Sequence, residues 1–333
     1  MRTPLLTAAL GAVLTTSILM AQIPTPTIEK KSPALDALLS PDAVFEKLGE
    51  GFRWTEGPVW SRKGGFLLFS DIPNNVINQW TPGKGISEFL KPSGYHGAAP
   101  FTGPEPGTNG LTFDAQGRLV ACQHGDRRVA RWENGTWTPL AERYEGKRLN
   151  SPNDLVFHSS GALYFTDPPY GLPGRWKDKE KELAFQGVYR RAPDGSLTLL
   201  TDQLNAPNGL AFSPDEKTLY VAQSDPDKAV IMAYPVNADG TLGEGRVLVD
   251  TTAEVKAKKP GLPDGLKVDT KGNLWATAPG GVWVIAPDGS HLGTIATGVP
   301  TANVAWGDDG GTLYITANTA VFRVETKTAG KVP

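Results

Sequence analysis

The chain has 333 residues, of which 39% are hydrophobic and 20% are charged, and it contains 38 glycines and 28 prolines. These proportions are typical of a globular protein with many turns. Its formal net charge of −2 and its lack of a cationic amphipathic segment exclude the basic surface that nucleic acids and other polyanions require, so no nucleic-acid partner is expected.

The N-terminal residues 1–21 are predicted to be a secretory signal peptide. A basic Arg2 precedes an apolar stretch that ends in Ala21, where cleavage is expected. An uncleaved membrane anchor is the alternative, but the stretch is barely long enough to span a bilayer and contains several Thr and Ser residues. We therefore expect a periplasmic or secreted protein that has no membrane association after cleavage.

Residues 22–42 are expected to form a linker, because they begin with the Pro- and Thr-rich run IPTPTIEKKSP. After this segment, one short phrase recurs six times, in which a polar residue leads into an apolar run. Four copies are clear, GTNGLTF, SPNDLVF, NAPNGLAF and GLPDGLKV, and two are looser, WTEGPVW and PTANVAW. Their polar residues are Glu56, Asn109, Asn153, Asn208, Asp264 and Asn303.

A second apolar run follows each copy after a turn that usually contains Gly, and most copies continue with further β-rich runs. The second runs are GGFLLFSD, QGRLVACQ, SGALYFTD, EKTLYVAQ, KGNLWATA and GGTLYITA. Repeats of this length that contain only short strands and turns are typical of propeller blades. The sequence predicts an all-β fold, a six-bladed β-propeller with four-stranded antiparallel blades, spanning residues 43–326 as a single domain.

The last copy contains three strands, so its blade needs a fourth strand from elsewhere. Residues 44–48 precede the first copy, and we expect them to form the outer strand of the last blade, which would close the ring and remove its free edges. Residues 327–333 are then a short C-terminal tail.

The first strand of a blade lines the central channel, so the six polar residues are expected to form a ring at one rim. Carboxylate and amide oxygens without clustered Cys or His suit a hard divalent cation, above all Ca²⁺ or Mg²⁺. Each of these residues could instead cap a turn through its own backbone. Capping is the better interpretation for Asn109 and Asn303 and the poorer one for Glu56, because Glu is a weak turn former.

Further polar residues are expected near the same rim, because the second strand of each blade returns to it. Asp167 ends one of these strands and Tyr170 follows it in FTDPPYG, while His124 follows the end of another. His96 lies in a long insertion that could fold over the channel mouth. We predict substrate contacts for His96, His124, Asp167, Tyr170 and Asn109. No G-x-S-x-G motif supports a serine nucleophile.

In combination and order, several motifs resemble those of the gluconolactonase, regucalcin (senescence marker protein) and lactonase-like family of six-bladed propellers. They cover residues 45–324, and the chain looks most like the bacterial exported gluconolactonase branch. The motifs are EGPVW, SPNDLVF with LYFTDPPYGL, APNGLAFSPDEKTLYV, and PDGLKVDTKGNLWA.

This resemblance implies a metal-dependent lactonase that carries one divalent cation, most commonly Ca²⁺, with Mg²⁺, Mn²⁺ or Zn²⁺ as the other possibilities. By motif, Glu56, Asn208 and Asp264 match the metal ligands, and Asn153 matches a position that binds metal or substrate. Asp264 also matches the catalytic acid/base. Family members that bind sugar acids have an Arg where this chain has Ser151, which separates their substrate preference from that of this protein.

The expected partner is a small-molecule lactone, and the protein is expected to be a monomer or a dimer. In the expected reaction the cation polarises the lactone carbonyl, Asp264 activates water or attacks directly, and Asn153 orients the carbonyl. Two alternatives remain open. The protein could hydrolyse other esters, such as phosphotriesters or aromatic lactones, or it could be a non-catalytic binding propeller that a metal stabilises.

Overall fold

The computed structural model describes residues 23–333 and shows an all-β ring of six blades. The predicted signal peptide lies outside the described residues. Two strands precede the blades, β1 (Thr27–Lys30) and β2 (Glu46–Glu50). No helix within residues 23–333 is both long and apolar enough to cross a membrane.

Each of the first three blades is a four-stranded antiparallel sheet whose strands follow one another in the chain. Blade 1 contains β3 to β6, which are Thr55–Ser61, Phe66–Asp71, Val76–Thr81 and Gly85–Leu90. Blade 2 contains β7 to β10, which are Thr108–Phe113, Leu119–Gln123, Arg128–Glu133 and Thr136–Ala141. A hairpin of β11 (Arg143–Tyr144) and β12 (Lys147–Arg148) follows. Blade 3 contains β13 to β16, which are Leu155–Phe157, Leu163–Asp167, Gly187–Arg191 and Leu197–Thr201.

Blade 4 repeats this arrangement, and blades 5 and 6 each include one strand from the N-terminal segment. Blade 4 contains β17 to β20, which are Pro207–Phe212, Thr218–Asp225, Lys228–Pro235 and Arg246–Asp250. Blade 5 contains β21 to β24, which are Leu266–Val268, Leu274–Ala278, Gly281–Ile285 and His291–Ala296. Blade 6 contains β25 to β27, which are Thr301–Gly307, Thr312–Ala317 and Ala320–Glu325. Short helical segments lie between strands at Pro33–Ala37, Ile72–Asn74, Arg175–Lys177 and, as α1, Thr252–Lys256.

The ring closes as predicted, because β2 pairs antiparallel with β27 and becomes the outer strand of blade 6. The strand begins at Glu46, two residues later than expected, and Val44 is 81% exposed. Each innermost strand contacts the innermost strands of both neighbouring blades, so β3, β7, β13, β17, β21 and β25 surround one central channel. Apolar side chains between the blades form the core, as in the stacked rings of Trp60 and Tyr314, whose centroids are 5.3 Å apart.

Part of the segment expected to be a linker is regular structure in the propeller. Strand β1 pairs with β24 and adds a fifth strand to blade 5. Leu35, Leu38 and Leu39 are buried in the same core cluster as blades 5, 6 and 1. These leucines recur at a helical spacing and bury one face, although the stretch before them is rich in Pro and Thr.

The C-terminal tail crosses one end of the channel. Thr328 donates a hydrogen bond to Asp269 at 3.2 Å, and Gly330 forms a bridge with the same residue. Lys331 lies 3.2 Å from Glu216, and Arg62 donates to the carbonyl of Val332 at 3.3 Å. These contacts join the tail to blades 5, 4 and 1.

Leu35→Ala tests whether the N-terminal segment stabilises the propeller. Leu35 is 2% exposed, so the truncation should lower the free energy of unfolding by about 2 to 5 kcal/mol. Val44→Ala is the matched control, because an exposed side chain should change it by no more than about 0.5 kcal/mol. Urea unfolding measures both. Equal, small effects would show that the segment is dispensable.

Candidate functional site

Local backbone irregularity places the six polar residues at the channel rim. The pairing register shifts at the start of the innermost strands of blades 1, 2, 4 and 6, between Glu56 and Val59 in blade 1, for example. Asn153 and Asp264 precede β13 and β21, where regular pairing has not yet begun. Bulges and unpaired ends of this kind turn a side chain away from the sheet, and here they direct the polar residues toward the axis.

The glycine that follows four of these residues is required by packing. A Cβ on Gly57 would lie 2.0 Å from the carbonyl oxygen of Asn109, and one on Gly209 would lie 2.3 Å from that of Asp264. Gly110 and Gly265 are equally crowded by the next blade, with 2.7 Å to Asn153 and 2.0 Å to Asn303. The repeated polar-Gly pair therefore allows neighbouring blades to approach closely enough for their polar residues to meet.

Blade 3 departs from this pattern, because Asp154 stands where the other clear copies have Gly. Its carboxyl is buried and accepts a hydrogen bond from the backbone of Leu155. On the opposite side of the ring, the Asn303 side-chain amide donates to Asp154 Oδ2 at 3.3 Å and to Glu56 Oε2 at 3.1 Å. We call Glu56, Asp154 and Asn303 the channel floor, since together they join blades 1, 3 and 6 across the axis.

Above the channel floor lies a cavity of about 440 Å³. We call it the rim cavity. Six of the nine predicted site residues line it. These six are Glu56, Asn109, Asn153, Tyr170, Asn208 and Asp264. The structure thus brings together residues that are up to 208 positions apart in the chain.

His96, His124 and Asp167 do not line the rim cavity. His96 is exposed on the outer surface, with its Nδ1 2.7 Å from Asp126 Oδ2. His124 is fully buried, with Nδ1 3.1 Å from Glu105 Oε2. Asp167 is also fully buried and accepts a hydrogen bond from the backbone of Asn150 at 2.7 Å. His124 and Asp167 therefore support the loops around the rim cavity and do not face the cavity itself.

Ser151 anchors the loop that carries Tyr170. Its hydroxyl donates to the carbonyl of Pro168 at 2.6 Å and accepts from the amide of Gly171 at 2.8 Å. These two bonds bracket Tyr170 and hold its ring at the cavity wall. Ser151, which stands where sugar-acid-binding proteins of the resembled family have an arginine, thus has a structural role in this loop.

The sequence reasoning missed four residues that shape the site. Glu105 and Arg175 lie at the rim with 3.5 Å between their charged groups, and both come from long insertions without a repeat to align them. Ser224 accepts a hydrogen bond from the Asn208 amide at 2.8 Å. Asp154 could have been found, because it breaks the polar-Gly pattern.

The carboxyl groups at the site are in an unfavourable environment. Burial raises the pKa of Glu56 to about 8, and the nearby carboxyl of Asp154 adds to the rise. Burial also raises the pKa of Asp264 well above its usual range, with contributions from Glu56 and Asp154. No ion pair in the described part of the chain involves these three acids.

Unpartnered oxygens at the same place fit a bound cation. Asn109 Oδ1, Asn208 Oδ1 and Asp264 Oδ1 are buried and accept no hydrogen bond within residues 23–333. No group of three or more His, Cys, Asp or Glu side chains in that range is arranged to hold a metal, so a cation here depends on amides as well as acids. Two carboxylates and two amides form an oxygen-only donor set that suits a hard cation such as Ca²⁺.

Asn303→Leu tests the channel floor. The change removes the amide that Glu56 and Asp154 share, so the orientation of Glu56 should be lost and Ca²⁺ affinity should fall about 10- to 100-fold. Isothermal titration calorimetry with Ca²⁺ measures this. Asn237→Leu makes the same change on an exposed hairpin and should leave affinity unchanged. Equal affinities in all three proteins would contradict the assigned role of Asn303.

The buried carboxyl of Asp167 should make the stability of the protein depend on pH. Burial raises its pKa from 3.8 to about 7, so the folded protein holds a proton that the unfolded chain has released. This contribution is fully present below about pH 4 and is lost as pH rises through about 7. Asp167→Asn should therefore flatten the decline in unfolding free energy between pH 5 and pH 7.5, which urea titrations measure. Asp227→Asn, at an exposed position, is the control, and an unchanged slope in Asp167→Asn would contradict the expectation.

Comparisons with known proteins identify the family of the chain and match its fold. The family described as SMP-30/Gluconolactonase/LRE-like region matches residues 54–319. A gluconolactonase from Zymomonas mobilis is 44% identical over 310 residues, which cover 91% of this chain and 87% of that protein. The solved structure of a gluconolactonase from Xanthomonas campestris has 35% identity and a TM-score of 0.78, covering 92% of this chain and 98% of that one.

A regucalcin from Agrobacterium tumefaciens, described as a calcium-binding protein, shares the fold at 21% identity with a TM-score of 0.68, covering 87% of this chain and 96% of that one. The family match covers more than half of the chain and runs from the start of blade 1 to the end of the second strand of blade 6. The protein belongs to the SMP-30/gluconolactonase/LRE-like family of six-bladed propellers.

Proposed function

We propose that this protein is a cation-dependent lactonase that hydrolyses sugar lactones, with Ca²⁺ as the preferred ion. The observation that carries the proposal is the convergence of Glu56, Asn153, Asn208 and Asp264 on one cavity, where buried oxygens have no hydrogen-bond partner in the described part of the chain. Two relatives that cover most of the chain are named gluconolactonases, at 44% and 35% identity. The names of these relatives support a sugar lactone as the substrate, and the oxygen donors of the cavity support a cation-dependent mechanism.

Four residues would hold the cation: Glu56, Asn153, Asn208 and Asp264. Bound there, a divalent cation supplies Lewis-acid polarisation of the ester carbonyl and stabilises the negative charge that develops on its oxygen. The channel floor holds Glu56 in place through Asn303, and Ser224 fixes the Asn208 amide so that its oxygen is left for the ion. The protein thus orients its oxygen donors before any ligand arrives.

Asp264 is proposed to move the protons. Its Oδ1 has no hydrogen-bond partner among residues 23–333, so it can accept a proton from water as the water oxygen bonds to the carbonyl carbon. When the ring carbon–oxygen bond breaks, the same group returns the proton to the departing ring oxygen. The product is an open hydroxy acid, and no other acid or base is needed.

Asn153, Asn109 and Tyr170 are proposed to orient the substrate. The Asn153 side chain lines the cavity and can donate to the carbonyl or to a neighbouring hydroxyl. Tyr170 packs edge-on against Trp176, with ring centroids 5.4 Å apart, which limits its motion. A sugar lactone carries several hydroxyl groups, and a wall of amides and a phenol can bond to them without a charge.

The cellular context belongs to the same proposal. The basic start and apolar stretch of residues 1–21 support export, which would place the protein in the periplasm or outside the cell. The propeller itself, with an unbroken ring and a complete cavity within one chain, supports function as a monomer or a dimer.

Asp264→Asn tests the catalytic assignment. The amide keeps an oxygen for the cation but cannot accept a proton, so kcat/KM for glucono-δ-lactone should fall at least about 100-fold. Acid release followed with a pH indicator measures the rate. Asp227→Asn, an exposed change, should retain the wild-type rate. Wild-type activity in the Asp264 variant would refute the role of this residue.

The cation is tested separately in the same assay. Hydrolysis should cease after treatment with a chelator and return with added Ca²⁺. If hydrolysis persists in chelator, the protein is a lactonase without the proposed ion. If no lactone is hydrolysed with Ca²⁺ present, while a phosphotriester or an aromatic lactone is, the substrate class is wrong.

A further inference from the structure

The six innermost strands enclose a second cavity at the opposite end of the channel. Its volume is about 450 Å³, similar to that of the rim cavity. The C-terminal ends of the six innermost strands form its wall, whereas the polar ring lies at their N-terminal ends. The C-terminal tail forms its edge. Apolar side chains dominate this wall, including Val59, Leu111, Phe157, Phe212, Trp306 and Val332. We call it the far-mouth cavity.

Charged residues also line the far-mouth cavity, and four of the five have partners. Asp114 pairs with Arg118 at 2.7 Å, and Glu216 pairs with Lys331 at 3.2 Å. Asp269 accepts hydrogen bonds from Asn273, Trp275 and Thr328. The fifth charged residue is Lys267.

Lys267 is a cation without an ion pair in the described part of the chain. Its Nζ donates one hydrogen bond, to the carbonyl of Leu266 at 3.1 Å, whereas an ammonium can donate three. The channel floor separates it from the rim cavity. Burial raises the pKa of Glu56 and Asp154, and the positive charge of Lys267 offsets part of that rise. The Lys267 ammonium therefore has unused hydrogen-bond donors beside an apolar wall.

We propose that the far-mouth cavity binds a small amphipathic monocarboxylate, an alkyl or aryl acid. Its carboxylate pairs with Lys267, and its apolar body lies against Leu111, Phe157 and Phe212. A pocket that is mostly apolar, with one positioned polar group, is the usual form of a site for such ligands. A sugar would place hydroxyl groups against the apolar side chains of this wall, which costs free energy.

This site is independent of the proposed lactonase function, because it lies on the other side of the channel floor and uses none of the same side chains. The tail that borders it is held by Glu216 and Arg62. Trp60 and Trp306 are part of its lining. An occupied far-mouth cavity should therefore change tryptophan emission.

Decanoate titrated into the full-length protein tests the proposal by calorimetry and by tryptophan fluorescence. We expect saturable binding with one site. Lys267→Met keeps the length of the side chain and removes the charge, so decanoate affinity should fall about tenfold or more. Lys331→Met is the matched control, because it removes from the edge of the far-mouth cavity a charge that is already paired with Glu216. Decanoate affinity should then stay within about twofold.

1-Decanol separates the head group from the apolar body. It should bind the wild-type protein and Lys267→Met equally, because it carries no charge for Lys267 to recognise. Saturating gluconate should leave decanoate binding unchanged if the two cavities are separate. No saturable binding of decanoate, an equal affinity in Lys267→Met, or displacement by gluconate would each overturn the proposal, and none of these results depends on lactone hydrolysis.

Discussion

Three carboxyl groups buried at the centre of one ring are the constraint on which the rest of the site depends. Glu56, Asp154 and Asp264 come from blades 1, 3 and 5, and burial raises the pKa of each. Removing like charges from water costs several kcal/mol unless they are protonated or neutralised. The donors to Glu56 and Asp154 are the Asn303 amide and the backbone of Gly57 and Leu155, and none of these donors carries a positive charge. A divalent cation above the channel floor would neutralise two of these acids and explain why the fold tolerates them.

Gathering these acids requires neighbouring blades to approach closely. A carbonyl oxygen of the next blade lies within 3 Å of where a Cβ would be at Gly57, Gly110 and Gly209, and the Asn303 side chain does so at Gly265, so these glycines make the approach possible. Where blade 3 replaces Gly with Asp154, the extra carboxyl enters the channel and meets Asn303 from the opposite side. Asp154 thus adds a buried carboxyl and, through its bond to Asn303, divides the channel into two cavities.

The two ends of the channel differ in their chemistry because the strands change character along their length. The rim end holds amides, acids and Tyr170, with loops fixed by side chains such as Ser151. The far end holds aromatic and aliphatic side chains that continue the core, with Lys267 as its one cation without an ion pair in the described residues. N-terminal residues complete blades 5 and 6, and the C-terminal tail crosses the far end. Both ends of the chain therefore stabilise the ring that holds the site.

The sequence alone determined the blade number, the closing strand and the polar ring, because these follow from a local pattern repeated six times. A polar residue before an apolar run marks an innermost strand wherever it occurs, and ring closure then places all six residues together. Only the tertiary structure showed that His124 and Asp167 are buried behind the rim, because the end of a strand does not fix the direction of a loop beside it. It also revealed the channel floor and the far-mouth cavity, since both depend on contacts between blades that lie opposite each other in space and far apart in the chain.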